Sequence, residues 1–255
     1  MKQTLKWDYT SMANSYHKRP NYPRKIIDEI IGFTNLRCAD KICDIGAGTG
    51  NLSLLLAEKG LHVQALEPNL AMYELRVQST RNNPMISWVN TTAEDTRQAS
   101  NTYDAISFGS SFNVVDREKA LQESHRICKP GGWLVTIWNH RDLDDPLQRS
   151  IETCIKETLP NYDYGLRRLD QRQYLVETGL FSQVEFFESA MLTMQTFDDV
   201  MEAWCSHATL QRQAGEKFDE IIQKIAGLCS NHGSENLEVP YTSRAWVSRF
   251  HKHPA

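Results

Sequence analysis

Two acids and three glycines carry the chemistry that is easiest to read in this chain. In KICDIGAGTG (residues 41–50) an apolar run ends in Asp44, and Gly46, Gly48 and Gly50 follow at alternate positions. Such a turn lets the backbone approach a ligand closely and adopt conformations barred to other residues. The dinucleotide fingerprint G-x-G-x-x-G wants a third glycine where Asn51 stands, and Asp44 would set negative charge where a pyrophosphate should lie. A positively charged ligand would welcome that acid. Glu67 follows at about 20 residues, the distance at which an acid holds ribose hydroxyls.

Other chemistry is thinner. His17, His140 and His207 are candidate general bases by residue type and place, because imidazole titrates near neutral pH. Asn113 can orient an acceptor through hydrogen bonds but cannot take its proton. The six cysteines (38, 43, 128, 154, 205 and 229) are scattered with no C-x-x-C and no metal spacing, so we expect no metal and a reducing cytoplasm.

The elements that must position these residues alternate between strand-like and helix-like stretches, the pattern of an α/β fold with a mostly parallel sheet. Helical spacing covers residues 26–34, 51–60, 69–80 and 117–128, and strands are expected at 41–46, 62–67, 85–90, 103–112 and 133–140. The pattern loosens after His140. A helix and loop, a further helix, a strand at 183–189, a helical region at 197–229 and a last extended segment from 237 are expected, its start made irregular or edge-like by Pro240. Residues 1–255 read as one domain, with residues 1–24 as an N-terminal cap segment and 141–172 and 197–235 as cap or insertion helices.

Composition excludes several classes. The chain has 255 residues, a net charge of −4 and no apolar run approaching a membrane span, which argues against a membrane or nucleic acid as main partner. The N-terminus lacks the apolar core of a signal peptide. Basic residues gather at Arg167, Arg168 and Arg172 and in the tail from Arg244; both read as solvated faces.

Acid, glycine turn and second-strand acid together resemble the class I S-adenosylmethionine-dependent methyltransferases. TAEDT (92–96) resembles the family's adenine segment, NTYDAISFGSSFNVVD its fourth strand and RICKPGGWLVT its fifth-strand entry. SYHKRPNYP and LEVPYTSRAWVSR are similar to the cap and closing strand of a small-molecule subgroup that includes trans-aconitate methyltransferase-like enzymes. The resemblance implies a Rossmann-like, doubly wound, seven-stranded mostly parallel sheet with an α-helical cap. It implies a cofactor set of Tyr16, Arg19, Asp44, Gly46, Ala47, Gly48, Glu67, Pro68, Met72, Ala93, Glu94 and Phe108, with Tyr16 and Arg19 over the methionine end. His17, Asn113 and His140 become the catalytic or positioning candidates. Two departures stand out: Thr92 where relatives carry Asp, and Asn113 where they carry His. The expected activity is methyl transfer from S-adenosylmethionine to a small organic molecule, at oxygen. The rivals are a non-methylating enzyme using the same cofactor and a non-catalytic cofactor-binding protein. Oligomeric state is not legible.

Overall fold

A computed structural model describes residues 20–232 and 236–252; Tyr16, His17 and Arg19 lie outside them. The helix α1 (Arg24–Thr34) buries Ile26, Ile27 and Ile30 along one stripe and ends on Asn35 in the left-handed conformation. It leads to β1 (Lys41–Ile45), which is buried on both faces after its first residue, as a central parallel strand should be. Four further strands and the helices between them follow: α2 (Asn51–Glu58), β2 (His62–Leu66), α3 (Leu70–Thr80), β3 (Ile86–Val89), β4 (Tyr103–Gly109), α4 (Arg117–Ile127) and β5 (Cys128–Arg141). Side-chain caps start two of these helices. Asn69 accepts from Met72 N at α3, and Asp116 accepts from Lys119 N at α4.

One seven-stranded sheet results, in the order β3-β2-β1-β4-β5-β7-β6. Strands β1 to β5 pair in parallel, while β7 (Asn236–Phe250) runs antiparallel to both β5 and β6 (Phe181–Thr196). Strand order reverses between β1 and β4, so the switch point falls at the C-terminal end of β1, where open α/β sheets bind ligands. The glycine turn sits there.

Three apolar clusters hold the molecule. One packs α1 and α2 on the sheet through Ile26, Leu55 and Val63; another packs α4 and α6 (Arg172–Glu177) through Leu121, Leu175 and Phe108 on residues such as Leu134. The third joins α5 (Pro146–Thr158), α7 (Phe197–Cys205), α8 (Ala208–Ala214) and α9 (Phe218–Ser230) to the first half of β7 through Ile151, Trp204, Ile225 and Val239.

Strand β6 is longer than its sequence suggests, whereas β7 covers the expected segment. They form an antiparallel ribbon from Phe181↔Phe250 to Thr196↔Asn236, well past the end of β5. Pro240 lies inside β7, whose start is regular but edge-like on the side of β5. It stands one residue beyond the last β5 pair, Arg141↔Tyr241, and its carbonyl accepts from Asp142 N, so its missing N–H faces the side where the ladder has ended. The ribbon then turns directly into α7 through a capping box of Thr196 and Asp199.

Candidate active site

The turn after β1 is shaped by its neighbours. Gly46, Gly48 and Gly50 all take positive φ, at 67°, 55° and 70°. A Cβ on Gly46 would stand 2.6 Å from Ser111 Cβ, so the position is closed to any side chain. Gly48 meets only Met72 Sδ, at 3.9 Å, and borders a cavity of about 450 Å³.

Two buried carboxylates flank this turn. Asp44 is fully buried; its oxygens accept from Ser53 Oγ at 2.5 Å and Ser107 Oγ at 2.8 Å. Desolvation pushes its pKa up to about 6, against the pull of those hydroxyls. Glu67 accepts from Gly48 N at 2.7 Å and from Asn69 N at 2.8 Å, one backbone N–H on each oxygen. Burial pushes it up to about 7, and the charge of Asp44 adds to the shift. A carboxylate has about four acceptor positions, so Glu67 keeps capacity for two hydroxyls. Vicinal hydroxyls on one acid and a cation beside two desolvated carboxylates are what this donor set accommodates. S-adenosylmethionine, with a ribose and a sulfonium, fits it.

Around the same cavity stand Pro68, Met72, Thr92, Ala93 and Glu94, and on its other side Ser110, Asn113, Trp138 and Asn139. Glu94 Oε1 also accepts from Asp116 N at 2.9 Å, tying the adenine segment to the start of α4. Asn113 Oδ1 accepts from Trp138 Nε1 at 2.9 Å, which leaves the Asn113 amide hydrogens as its spare polar group. It can only donate.

Of the residues expected from sequence, Asp44, Gly46, Ala47, Gly48, Glu67, Pro68, Met72, Ala93, Glu94 and Asn113 converge on one cavity. Two do not line it. Phe108 follows Ser107, which faces Asp44, and strand alternation turns it to the opposite face, fully buried 5.1 Å from Phe112. His140 is buried, with neither ring nitrogen hydrogen-bonded, and its pKa is pushed down to about 3 by desolvation and by Arg167, Arg168 and Arg244. A ring held neutral that firmly, outside the cavity lining, is no base poised for neutral pH.

His207 does line the cavity, but its Nδ1 accepts from Leu210 N at 3.2 Å as the cap of α8. Its Nε2 stands 3.4 Å from Arg167 Nη2, a group that can only donate, so both ring nitrogens are already engaged by N–H groups of the protein. Sequence reading missed Ser53, Ser107 and Asn69, whose hydroxyls and backbone hold the two acids; small polar residues carry no signal until register places them. It also put Arg167 and Arg168 on a solvated face, whereas both line the cavity with Arg141. Arg172, by contrast, is structural, donating to Val184 O at 2.6 Å.

A doubly wound sheet whose switch point holds a glycine turn between two desolvated acids defines an enzyme that binds a cationic nucleoside. Residues 43–136 match the family model of the methyltransferase domain. An uncharacterized methyltransferase of Mycobacterium bovis, Mb3374, is 32% identical over 232 residues, spanning 84% of this chain and 92% of that protein. The ubiquinone/menaquinone biosynthesis C-methyltransferase UbiE of Klebsiella pneumoniae is 30% identical over 158 residues, 58% of this chain and 62% of that protein. Among solved structures, a proposed type II methyltransferase from Anaeromyxobacter dehalogenans superposes with a TM-score of 0.68 at 17% identity, covering 93% of this chain and 99% of that one. The chain belongs to the class I S-adenosylmethionine-dependent methyltransferases, and S-adenosylmethionine is its cofactor.

Proposed function

We propose that the protein methylates an oxygen atom of a small organic acceptor enclosed between the sheet and an insertion made of residues 141–172 and 197–235. The observation that carries this reading is one continuous cavity: its first end is lined by Asp44, Gly48 and Glu67, and its second by Tyr164, Ala203, His207 and Tyr241 from the third cluster and its surroundings. At about 450 Å³ it lies in the range of small-molecule sites. The net charge of −4 favours a small-molecule acceptor over nucleic acid, and six free cysteines fit a cytoplasmic setting.

When bound, the cofactor supplies an electrophilic methyl group. The chain's own task is then to bind, orient and exclude water. Asp44, Gly46, Ala47, Gly48, Glu67 and Pro68 hold the nucleoside end in this reading, with Met72, Ala93 and Glu94 at adenine. Tyr16 and Arg19 are assigned to the methionine end on the family resemblance alone. Asn113 orients the acceptor by donating from its amide. Holding the reacting atoms in line supplies roughly 7–11 kcal/mol of the barrier in well-oriented systems. Oxygen is favoured because the described cavity residues offer no free imidazole lone pair: an acidic hydroxyl or a carboxylate arrives deprotonated, whereas an ammonium needs a base.

Calorimetric titration of S-adenosylmethionine, S-adenosylhomocysteine and NAD, repeated on Asp44→Ala and Glu67→Ala, tests the cofactor assignment. The first two should bind and both variants should lose them. Transfer of an isotopically labelled methyl to a panel of acids, phenols and amines, read by mass spectrometry and NMR, tests the atom. A product labelled on carbon or nitrogen overturns the oxygen assignment.

A further inference from the structure

The cavity is electrically divided. Its carboxylates, Asp44, Glu67, Glu94 and Asp116, belong to the cofactor end, and its guanidinium groups gather at the other. Arg141 ends β5, and Arg168 ends the 3-10 turn Gly165–Arg168; Arg168 Nη2 donates to the Arg141 carbonyl at 3.3 Å and ties the two together. The Arg141 guanidinium lies 4.0 Å from the Trp204 ring centroid, and that of Arg168 lies 4.0 Å from Tyr164. Stacking engages the flat face of a guanidinium and leaves its N–H edge for a planar oxyanion.

No counter-charge answers these cations among the described residues. Neither Arg141 nor Arg168 forms an ion pair there, and the Nε of each is buried without a hydrogen-bond partner. Glu152, the carboxylate beside Tyr164, is already engaged, by Tyr164 Oη at 2.5 Å and Lys156 Nζ at 3.0 Å. Burial first, and then the charges of Arg167, Arg168 and Arg244, hold the pKa of the neighbouring His140 down. Gathering like charges in a half-buried site is unfavourable until an anion joins them.

We infer that Arg141 and Arg168 form an anion subsite that clasps a carboxylate or phosphate group of the methyl acceptor, an inference that rests on the methyltransferase reading above. The clasped group is an anchor rather than the methylated atom. Methylating it would cancel its charge, so the arginines would hold the ground state more tightly than the transition state and raise the barrier. The acceptor therefore has two functions: an oxyanion at the arginines, and a separate nucleophilic oxygen facing Asn113 and the glycine turn. Their spacing follows from the sheet. The β4 pairing ends at Gly109↔Ile137, and β5 continues from there to Arg141, about 13 Å at 3.3 Å per residue. That leaves room for a small multi-carbon acid.

The probes are inorganic phosphate, succinate and its neutral diamide, succinamide, titrated by calorimetry at fixed ionic strength into protein saturated with S-adenosylhomocysteine. We expect at least one anion to bind and succinamide not to; whichever anion binds names the anchor as phosphate or carboxylate. Arg141→Gln and Arg168→Gln should each weaken that binding at least tenfold, with S-adenosylhomocysteine affinity within twofold of wild type. Retained nucleoside binding also shows that the variants fold. Arg168→Lys keeps the charge and the stem, serves where a Gln variant does not fold, and should weaken anion binding severalfold. Anions that bind no better than succinamide, or bind the variants as well as the wild type, overturn the proposal. So does loss of S-adenosylhomocysteine in the arginine variants, which would place the cofactor's own carboxylate there. A wild-type protein that binds no S-adenosylhomocysteine overturns the methyltransferase reading itself and this proposal with it.

Discussion

Lowering the pH from 8 to 6 should weaken S-adenosylmethionine binding far more than S-adenosylhomocysteine binding. The two ligands differ by a methyl group and by the sulfonium charge, and the site that receives them holds Asp44 raised to about 6 and Glu67 raised to about 7. A raised carboxylate pKa means that the ligand-free native state binds more protons than the unfolded chain between about pH 4 and 7, so native stability falls as pH rises through that window. A cation offsets that loss, and a neutral thioether does not. An opposite charge within about 4–6 Å lowers a carboxylate pKa by about 1–3 units, so a sulfonium bound beside Glu67 would lower its pKa by about two, or about 2.7 kcal/mol. Wild-type Glu67 would then be ionised in the sulfonium complex at pH 6 but mostly protonated without it. The ratio of the two affinities should fall about tenfold between pH 8 and pH 6, about 1.4 kcal/mol. Asp44, titrating lower, steepens the fall below pH 6. The α-amino group of the ligand titrates in this range too, but it is common to both and cancels in the ratio. Parallel calorimetric titrations at pH 8, 7 and 6 measure it, and Glu67→Gln should flatten most of the response. A ratio constant within twofold from pH 8 to 6 refutes the idea that these buried acids answer to the sulfonium.

Three other perturbations follow from the same geometry. Gly46→Ala puts a methyl 2.6 Å from Ser111 Cβ at a φ of 67°; about 1–2 kcal/mol of left-handed strain and about 1–3 of overpacking should lower thermal stability and weaken both cofactor forms. Ser107→Ala removes the O–H that Asp44 Oδ1 accepts at 2.8 Å, so the pH profile of S-adenosylmethionine affinity should move to higher pH, which the same titrations read. Glu123 takes Arg126 Nε at 2.7 Å and Thr96 N at 3.0 Å, which holds it down at about 2. Glu123→Gln should therefore cost about 1.5–3 kcal/mol at pH 7 by denaturant unfolding. Because the folded pKa is depressed, that difference should be full above about pH 4.5 and vanish as pH falls toward 2.

Much of the sheet was legible because parallel strands buried on both faces must be apolar runs, and KICDI, HVQAL and YDAISFG are such runs between turn residues. The antiparallel end was not. SAMLTMQT continues β6, but its polar and apolar residues mark only a half-exposed ribbon, and Leu192 and Met194 are exposed where a core strand would bury them. Its register depends on β7, 40 or more residues later in the chain, which no local window contains. Alternation likewise decides why Phe108 left the site. Phe108 sits next to Ser107 in sequence, yet only the sheet register shows that Ser107, not Phe108, faces Asp44.

The division of the cavity explains why one half of the site could be read and the other could not. The cofactor half is built from contiguous chain: a glycine turn, an acid before it and an acid at the end of the next strand, each fixed by local backbone geometry. The acceptor half is assembled from the end of β5, a 3-10 turn, the cap of α8 and the middle of β7, brought together only by the third cluster. Arg167 and Arg168 lie among Asp163, Asp170 and other polar neighbours in sequence, where two arginines ordinarily mean solvent. Tyr164 and Trp204 reverse that meaning, because a guanidinium held over a ring stays at the cavity lining instead of reaching into water. Aromatic residues at matched places in an insertion are therefore the signal to seek beside a basic pair. Here they separate an anion clasp from a solvated face, and binding of phosphate or succinate decides between them.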